Sequence, residues 1–113
     1  TTLNYDIARS GWIGDYYDAM NFLECFITDG GNNRTGWSNP EYDRLLREAE
    51  ATLGKTQRLE LYQRAEAILL EEMPIVPIYF QKRQYLISPV VKGWEPSILG
   101  QVIYKDIYLE PGT

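Results

Sequence analysis

The stretch Tyr5-Asp6-Ile7-Ala8-Arg9-Ser10-Gly11-Trp12-Ile13-Gly14-Asp15-Tyr16 decides how the rest of the 113-residue chain is read. Leu3, Tyr5 and Ile7 alternate with Asn4, Asp6 and Ala8, which is the period of a half-buried strand. The alternation stops at a glycine-punctuated turn carrying a cation (Arg9), an indole (Trp12) and a carboxylate (Asp15). Behind the turn, the apolar run Met20-Asn21-Phe22-Leu23-Glu24-Cys25-Phe26-Ile27 predicts a helix over residues 18–27. Strand, turn and helix open a βαβ unit, and in open α/β sheets ligands sit outside the carboxyl ends of the strands. Arg9 and Asp15 then stand at the mouth of a crevice with Trp12 between them. Such a site suits a molecule charged at both ends.

Working outward, Thr28-Asp29-Gly30-Gly31-Asn32-Asn33 is too rich in turn formers to sustain a helix. Asn33-Arg34-Thr35 matches the glycosylation acceptor pattern, which is short and common by chance. Ser38-Asn39-Pro40-Glu41 signals a helix start. Proline suits the first turn, and Ser38 and Glu41 have capping-box spacing. Tyr42, Leu45, Leu46, Ala49 and Leu53 then form one apolar stripe. Gly54 ends that helix and Thr56 is placed to cap the next, whose stripe is Leu61, Tyr62, Ala65, Ile68, Leu69 and Met73. The two helices make an αα-hairpin.

Past Pro74, the β-branched and aromatic run Ile75-Val76-Pro77-Ile78-Tyr79-Phe80 predicts a strand, and Pro77 puts it at an edge or a break in pairing. A second extended run covers residues 83–87. The tail is broken by Gly93, Pro96, Gly100, Pro111 and Gly112, leaving Val102-Ile103-Tyr104 and Ile107-Tyr108-Leu109 as short strands or arms. The predicted order is strand, helix, helix pair, strand and irregular return. If the two strands pair in parallel, their crossover is right-handed. Two strands alone leave a sheet without neighbours, and the chain opens Thr1-Thr2-Leu3 without a methionine or leader, as a piece of a longer protein does.

Composition narrows the function. Apolar content of 44% and charged content of 24% are those of a globular domain. A net charge of −5, from 16 acidic and 11 basic side chains, argues against nucleic acid, which needs clustered Lys and Arg. Histidine is absent, which removes the commonest general base and metal ligand together. The single cysteine, Cys25, reads as a buried thiol among apolar neighbours. Asp15 and Asp18 invite a general acid/base reading, but no companion nucleophile–base pair or shaped site supports an enzyme. Asp15 also suits a helix N-cap, and Arg9 also suits an ion pair with Asp6. The hairpin suggests a second class, a tetratricopeptide-like interaction module, but such repeats need at least about three copies and one is present.

Five segments in order carry a family resemblance over residues 5–109. They are Ala8-Arg9-Ser10-Gly11-Trp12-Ile13-Gly14-Asp15-Tyr16 with Asn21-Phe22-Leu23; Asn32-Asn33; Asn39-Pro40-Glu41-Tyr42-Asp43-Arg44-Leu45; Gln57-Arg58-Leu59-Glu60-Leu61-Tyr62-Gln63-Arg64-Ala65-Glu66; and Met73-Pro74-Ile75-Val76-Pro77-Ile78-Tyr79. Together they resemble the C-terminal portion of the dipeptide/oligopeptide-binding proteins, the extracellular solute-binding proteins (family 5) of bacterial ABC importers. The resemblance implies an α/β fold, part of a two-lobed periplasmic-binding-protein-like receptor (type II, cluster C). Residues 1–80 would be the C-terminal part of the second, ligand-binding lobe, and 81–113 a hinge strand and return segment on the other lobe.

It further implies a monomeric receptor, periplasmic or at the cell surface, that binds a peptide without a cofactor and passes it to an ABC permease. Asp15 would bind the peptide ammonium, and Arg9 a ligand carboxylate. The backbone of Gly11, Trp12 and Ile13 would hold the peptide main chain as an added strand does; Trp12 reads as a rim or core aromatic or as a wall that keeps water from the cleft, and Tyr16 as a hydroxyl donor or a residue packed under the helix. Two departures stand out: Ile13 replaces a cysteine found in some members, and Asp18-Ala19 replaces the usual Asp-Pro. Members for nickel chelates, opines or sugars share the scaffold, so a non-peptide solute is the alternative ligand.

Overall fold

The computed structural model describes residues 3–110, and the chain divides into two compact units, Thr1–Pro77 and Ile78–Thr113. Thr1, Thr2, Pro111 and Gly112, which figure in the reading of the two ends, lie outside the described residues.

The first unit is built on the predicted hairpin. Helix α1 (Met20–Leu23) runs into a 3₁₀ turn (Glu24–Phe26), and α2 (Pro40–Ala51) and α3 (Lys55–Glu72) follow. Tyr42, Leu45, Leu46 and Ala49 of α2 meet Leu61, Tyr62, Ala65 and Leu69 of α3, and Leu23 completes the buried cluster. Burying a Leu-sized side chain is worth about 1.5–3 kcal/mol, so this single cluster carries most of the unit's stability. Met20, Phe26, Ile27, Trp37, Ile68 and Ile75 pack around it.

The helix ends differ from expectation in ways that local bonds explain. Asn39, not Ser38, caps α2, because its Oδ1 accepts from the N–H groups of Glu41 and Tyr42 at 2.9 and 3.0 Å. Ser38 Oγ instead pairs with Thr28 Oγ1 at 2.9 Å. Helix α2 stops at Ala51 and α3 starts after Gly54 with no side-chain cap, so Thr56 lies inside the helix. Leu53, falling between the two helices, is fully exposed. Met73 turns left-handed at φ 49° to close α3 and leaves the apolar stripe. The predicted first helix tightens after Leu23, where the Leu23 carbonyl accepts from the Tyr42 hydroxyl at 2.7 Å and Ile27 N–H reaches only Glu24 O.

Glu72, at the far end of α3, reaches back to the start of α2. Its two oxygens accept from Trp37 Nε1 and Asn39 Nδ2, both at 2.6 Å. Asn39 thus makes three side-chain bonds at once, and Asn39→Ala should destabilise the protein by about 1–2 kcal/mol. Urea denaturation reads this as a lower midpoint with an unchanged slope.

The loop before α2 closes on Asn33. Its amide nitrogen lies 2.9–3.2 Å from the carbonyls of Phe26, Ile27 and Trp37, while its oxygen accepts from Thr35 N–H and Oγ1. A glycan on that nitrogen would break the loop, so the acceptor pattern here serves structure.

The predicted strands at residues 3–8, 75–80 and 83–87 do not pair among the described residues. A strand is completed by neighbours' hydrogen bonds, and these runs find none: Leu3, Tyr5, Ile7, Val76, Ile78, Tyr79 and Phe80 are exposed. No parallel pair, and hence no crossover, forms among the described residues. The sheet that does form lies in the second unit, where β1 (Val91–Lys92) and β2 (Tyr108–Leu109) pair antiparallel, Val91 opposite Leu109. Gly93 follows β1 at φ 72°, and a Cβ there would fall 1.9 Å from the Asp106 carbonyl oxygen. Only glycine fits that approach. Residues 102–103 stay unpaired, and Tyr104–Asp106 forms a 3₁₀ turn. Trp94 meets Tyr85 and Tyr104 edge-on, with centroids 5.5 and 6.4 Å apart.

Candidate functional site

The segment from Arg9 to Tyr16 runs without helix or strand into α1, and one buried side chain fixes its end. Asn21, on the first turn of α1, is fully buried. Its Oδ1 accepts from Trp12 Nε1 at 2.7 Å and from the Asp15 backbone N–H at 3.1 Å. Tyr16 is held next to them, its hydroxyl donating to Glu24 Oε1 at 3.2 Å. Burial, then the Glu24 carboxylate, pushes the Tyr16 hydroxyl above the usual phenol range, so it stays a donor.

Three of the six predicted site residues, Trp12, Asp15 and Tyr16, are therefore gathered around the start of α1. Asp15 is exposed, and among the described residues its carboxylate takes part in no hydrogen bond or ion pair. The helix-start role belongs to Asp18, whose Oδ1 accepts from Met20 N–H at 2.9 Å. Asp18 Oδ2 in turn pairs with Arg58 Nη2 at 2.8 Å. The Asp15 charge is left facing solvent.

Arg9, Gly11 and Ile13 are not drawn into this cluster. Arg9 is exposed and makes no ion pair among the described residues, with Asp6 or otherwise. A Cβ built on Gly11 meets nothing within 4 Å, so the backbone there is open to an approaching chain. Ile13 is exposed.

An open pocket of about 260 Å³ adjoins the site, lined by Tyr16, Asp18, Met20, Glu50, Arg58 and Tyr62. Asp15 does not line it. Burial and the Asp18 carboxylate push the Tyr62 hydroxyl up to about 12, while Arg58 stands 6.0 Å over its ring. Cys25 is buried and free, and burial first, then Glu24, pushes its thiol up. It is no nucleophile at neutral pH.

No family model matches the chain. The oligopeptide-binding protein OppA of Bacillus subtilis (strain 168) is 42% identical over 108 residues, which is 95% of this chain and 20% of OppA. The dipeptide-binding protein DppE of the same organism is 40% identical over 91 residues, covering 80% of this chain and 17% of DppE. The unliganded, open form of the periplasmic murein tripeptide binding protein MppA matches in structure with a TM-score of 0.60 and 31% identity, over 87% of this chain and 19% of that one. The chain belongs to the dipeptide/oligopeptide-binding protein family.

It spans about a fifth of the length of the curated relatives it matches. Its mix of helices and short strands fits part of the α/β architecture of that periplasmic binding protein. The residue that sequence reading did not single out, and that the structure places at the centre of this cluster, is Asn21. An asparagine at the start of an apolar helix looks like a surface position; the available signal was its spacing, two before Leu23 and four before Cys25, both buried.

Proposed function

We propose that this chain is part of the substrate-binding component of an ABC importer, a periplasmic or cell-surface receptor that binds peptides and hands them to a membrane permease. In this reading residues 1–80 belong to the ligand-binding lobe and 81–113 return to the other lobe, and the two lobes close on the peptide. The receptor acts as a monomer and binds without chemistry. OppA, DppE and MppA carry peptide ligands of different lengths in their names, which supports a peptide as the class of ligand and leaves its length open.

The observation that supports this most is Asp15. Its carboxylate is unpaired among the described residues, while its own backbone N–H is fixed to buried Asn21. A peptide ammonium desolvated in a closed cleft needs such an anion, and removing one partner of that pair costs about 2–5 kcal/mol. Trp12 and Tyr16 wall the groove beside it. Open backbone at Gly11 and Ile13 takes the peptide main chain, and Arg9, unpaired among the described residues, reaches a ligand carboxylate. Calorimetric titration of the full-length receptor with trialanine and N-acetyl-trialanine tests the reading: the free amine should bind far more tightly. Equal affinities for the two peptides would remove its basis.

A further inference from the structure

We propose that Asn21 is the positioning residue of the ammonium anchor, setting where the Asp15 carboxylate stands and thereby how strongly the receptor prefers a free amine. This rests on the reading of Asp15 given above. Asn21 touches no ligand; it acts through the turn. Its side-chain oxygen has two lone pairs, and each takes one N–H from a different site residue: the Trp12 indole at 2.7 Å and the Asp15 main chain at 3.1 Å. Residues 12 and 15 are thereby fixed to a single atom on α1, and the turn between them has little freedom left.

The rest of the asparagine points the same way. The side chain is fully buried, yet its Nδ2 has no hydrogen-bond partner among the described residues. Buried polar groups are normally paired, so a residue serving only to fill the core would be better apolar. The backbone of Asn21 adds a third tie, its carbonyl lying 3.5 Å from Cys25 Sγ, which roots the position in α1. An electrostatic anchor loses strength steeply when its geometry loosens, because the attraction falls with distance and returning water raises the local dielectric.

The test compares wild type, Asn21→Ala, Asn21→Asp and Asp15→Ala in the full-length receptor, titrated with trialanine and N-acetyl-trialanine. Asn21→Ala should cut the preference for the free amine by about tenfold or more, which is about 1.4 kcal/mol or more. Asn21→Asp keeps an oxygen in place for both N–H groups and should restore most of that preference. The Trp12 indole N–H, read by hydrogen exchange in NMR, should lose protection in Asn21→Ala and regain it in Asn21→Asp. Should Asn21→Ala not fold, the same two readouts on Asn21→Ser, whose hydroxyl is too short to span both bonds, take its place. If Asp15→Ala abolishes the preference but Asn21→Ala leaves it intact while releasing the indole, Asn21 is only structural and the proposal is overturned. If Asp15→Ala itself leaves the preference intact, the ammonium reading has failed, a different and separately visible result.

Discussion

Asp15→Ala should weaken trialanine binding to the full-length receptor by roughly 30-fold to several thousand-fold, the equivalent of about 2–5 kcal/mol. N-acetyl-trialanine, which has no ammonium, should lose less than about threefold. The asymmetry follows from the site. Asp15's carboxylate is tied to no other group among the described residues, so its removal leaves no partner stranded in the free protein. The helix start is secured by Asp18, which is untouched. Folding stability should therefore change little, since an exposed substitution away from special features stays within about 0.5 kcal/mol. The whole effect then appears as lost affinity for one of two otherwise identical peptides. Parallel losses for both peptides would assign Asp15 to closure or to the shape of the turn.

The second large effect is on stability. Tyr42→Ala should destabilise the protein by about 3–5 kcal/mol, the usual loss for a large aromatic removed from a core. Tyr42 is fully buried, meets Trp37 edge-on at a centroid distance of 5.0 Å, and donates its hydroxyl to the Leu23 carbonyl at 2.7 Å. Tyr42→Phe keeps the ring and removes only that donor, so it should cost about 1–3 kcal/mol for the carbonyl left unpaired. Burial holds the phenol pKa far above its usual value, so the hydroxyl remains a donor at all ordinary pH. Urea denaturation should rank the proteins wild type, Phe, Ala. Because Leu23 is the last residue of the α1 turn that carries Asn21, the Phe variant should also raise the exchange rate of the Trp12 indole N–H. Equal midpoints for Phe and Ala would mean that the hydroxyl, and not the ring, carries the residue's contribution.

The helical hairpin was legible because its signal is repeated. Four positions of α2 and four of α3 recur at helical spacing and are buried together. Leu53 and Met73 broke the pattern for local reasons, one past the end of its helix and the other in a left-handed close. Ser38 and Asn39 are both good caps, and sequence does not say which of two adjacent caps wins. The runs at 3–8, 75–80 and 83–87 did not pair because β-branched and aromatic composition reports a preference for extended backbone, while a strand needs a neighbour; the short strand expected in Ile107-Tyr108-Leu109 did form, at Tyr108–Leu109. β1 and β2 pair over only two residues each, too short for any period. In the candidate site, the turn that brings Trp12 and Asp15 together was legible from its residue types. Asn21 was not, because its role depends on two N–H groups converging on it from nine and six residues away.

The fastening at Glu72 also has a practical side. Because it joins the beginning of α2 to the finish of α3, the bend from Thr52 to Gly54, with Leu53 wholly in solvent, is the far end of a closed staple. A foreign sequence spliced in beside Leu53 would be carried on that staple's outer tip, where exposed loop ends tolerate extra chain. A fluorescent reporter placed there should leave the melting temperature of the host within about 2 °C, given that each kcal/mol lost shifts it by several degrees. The molecule offers an engineer a handle for a sensor at a point its own fold has left idle.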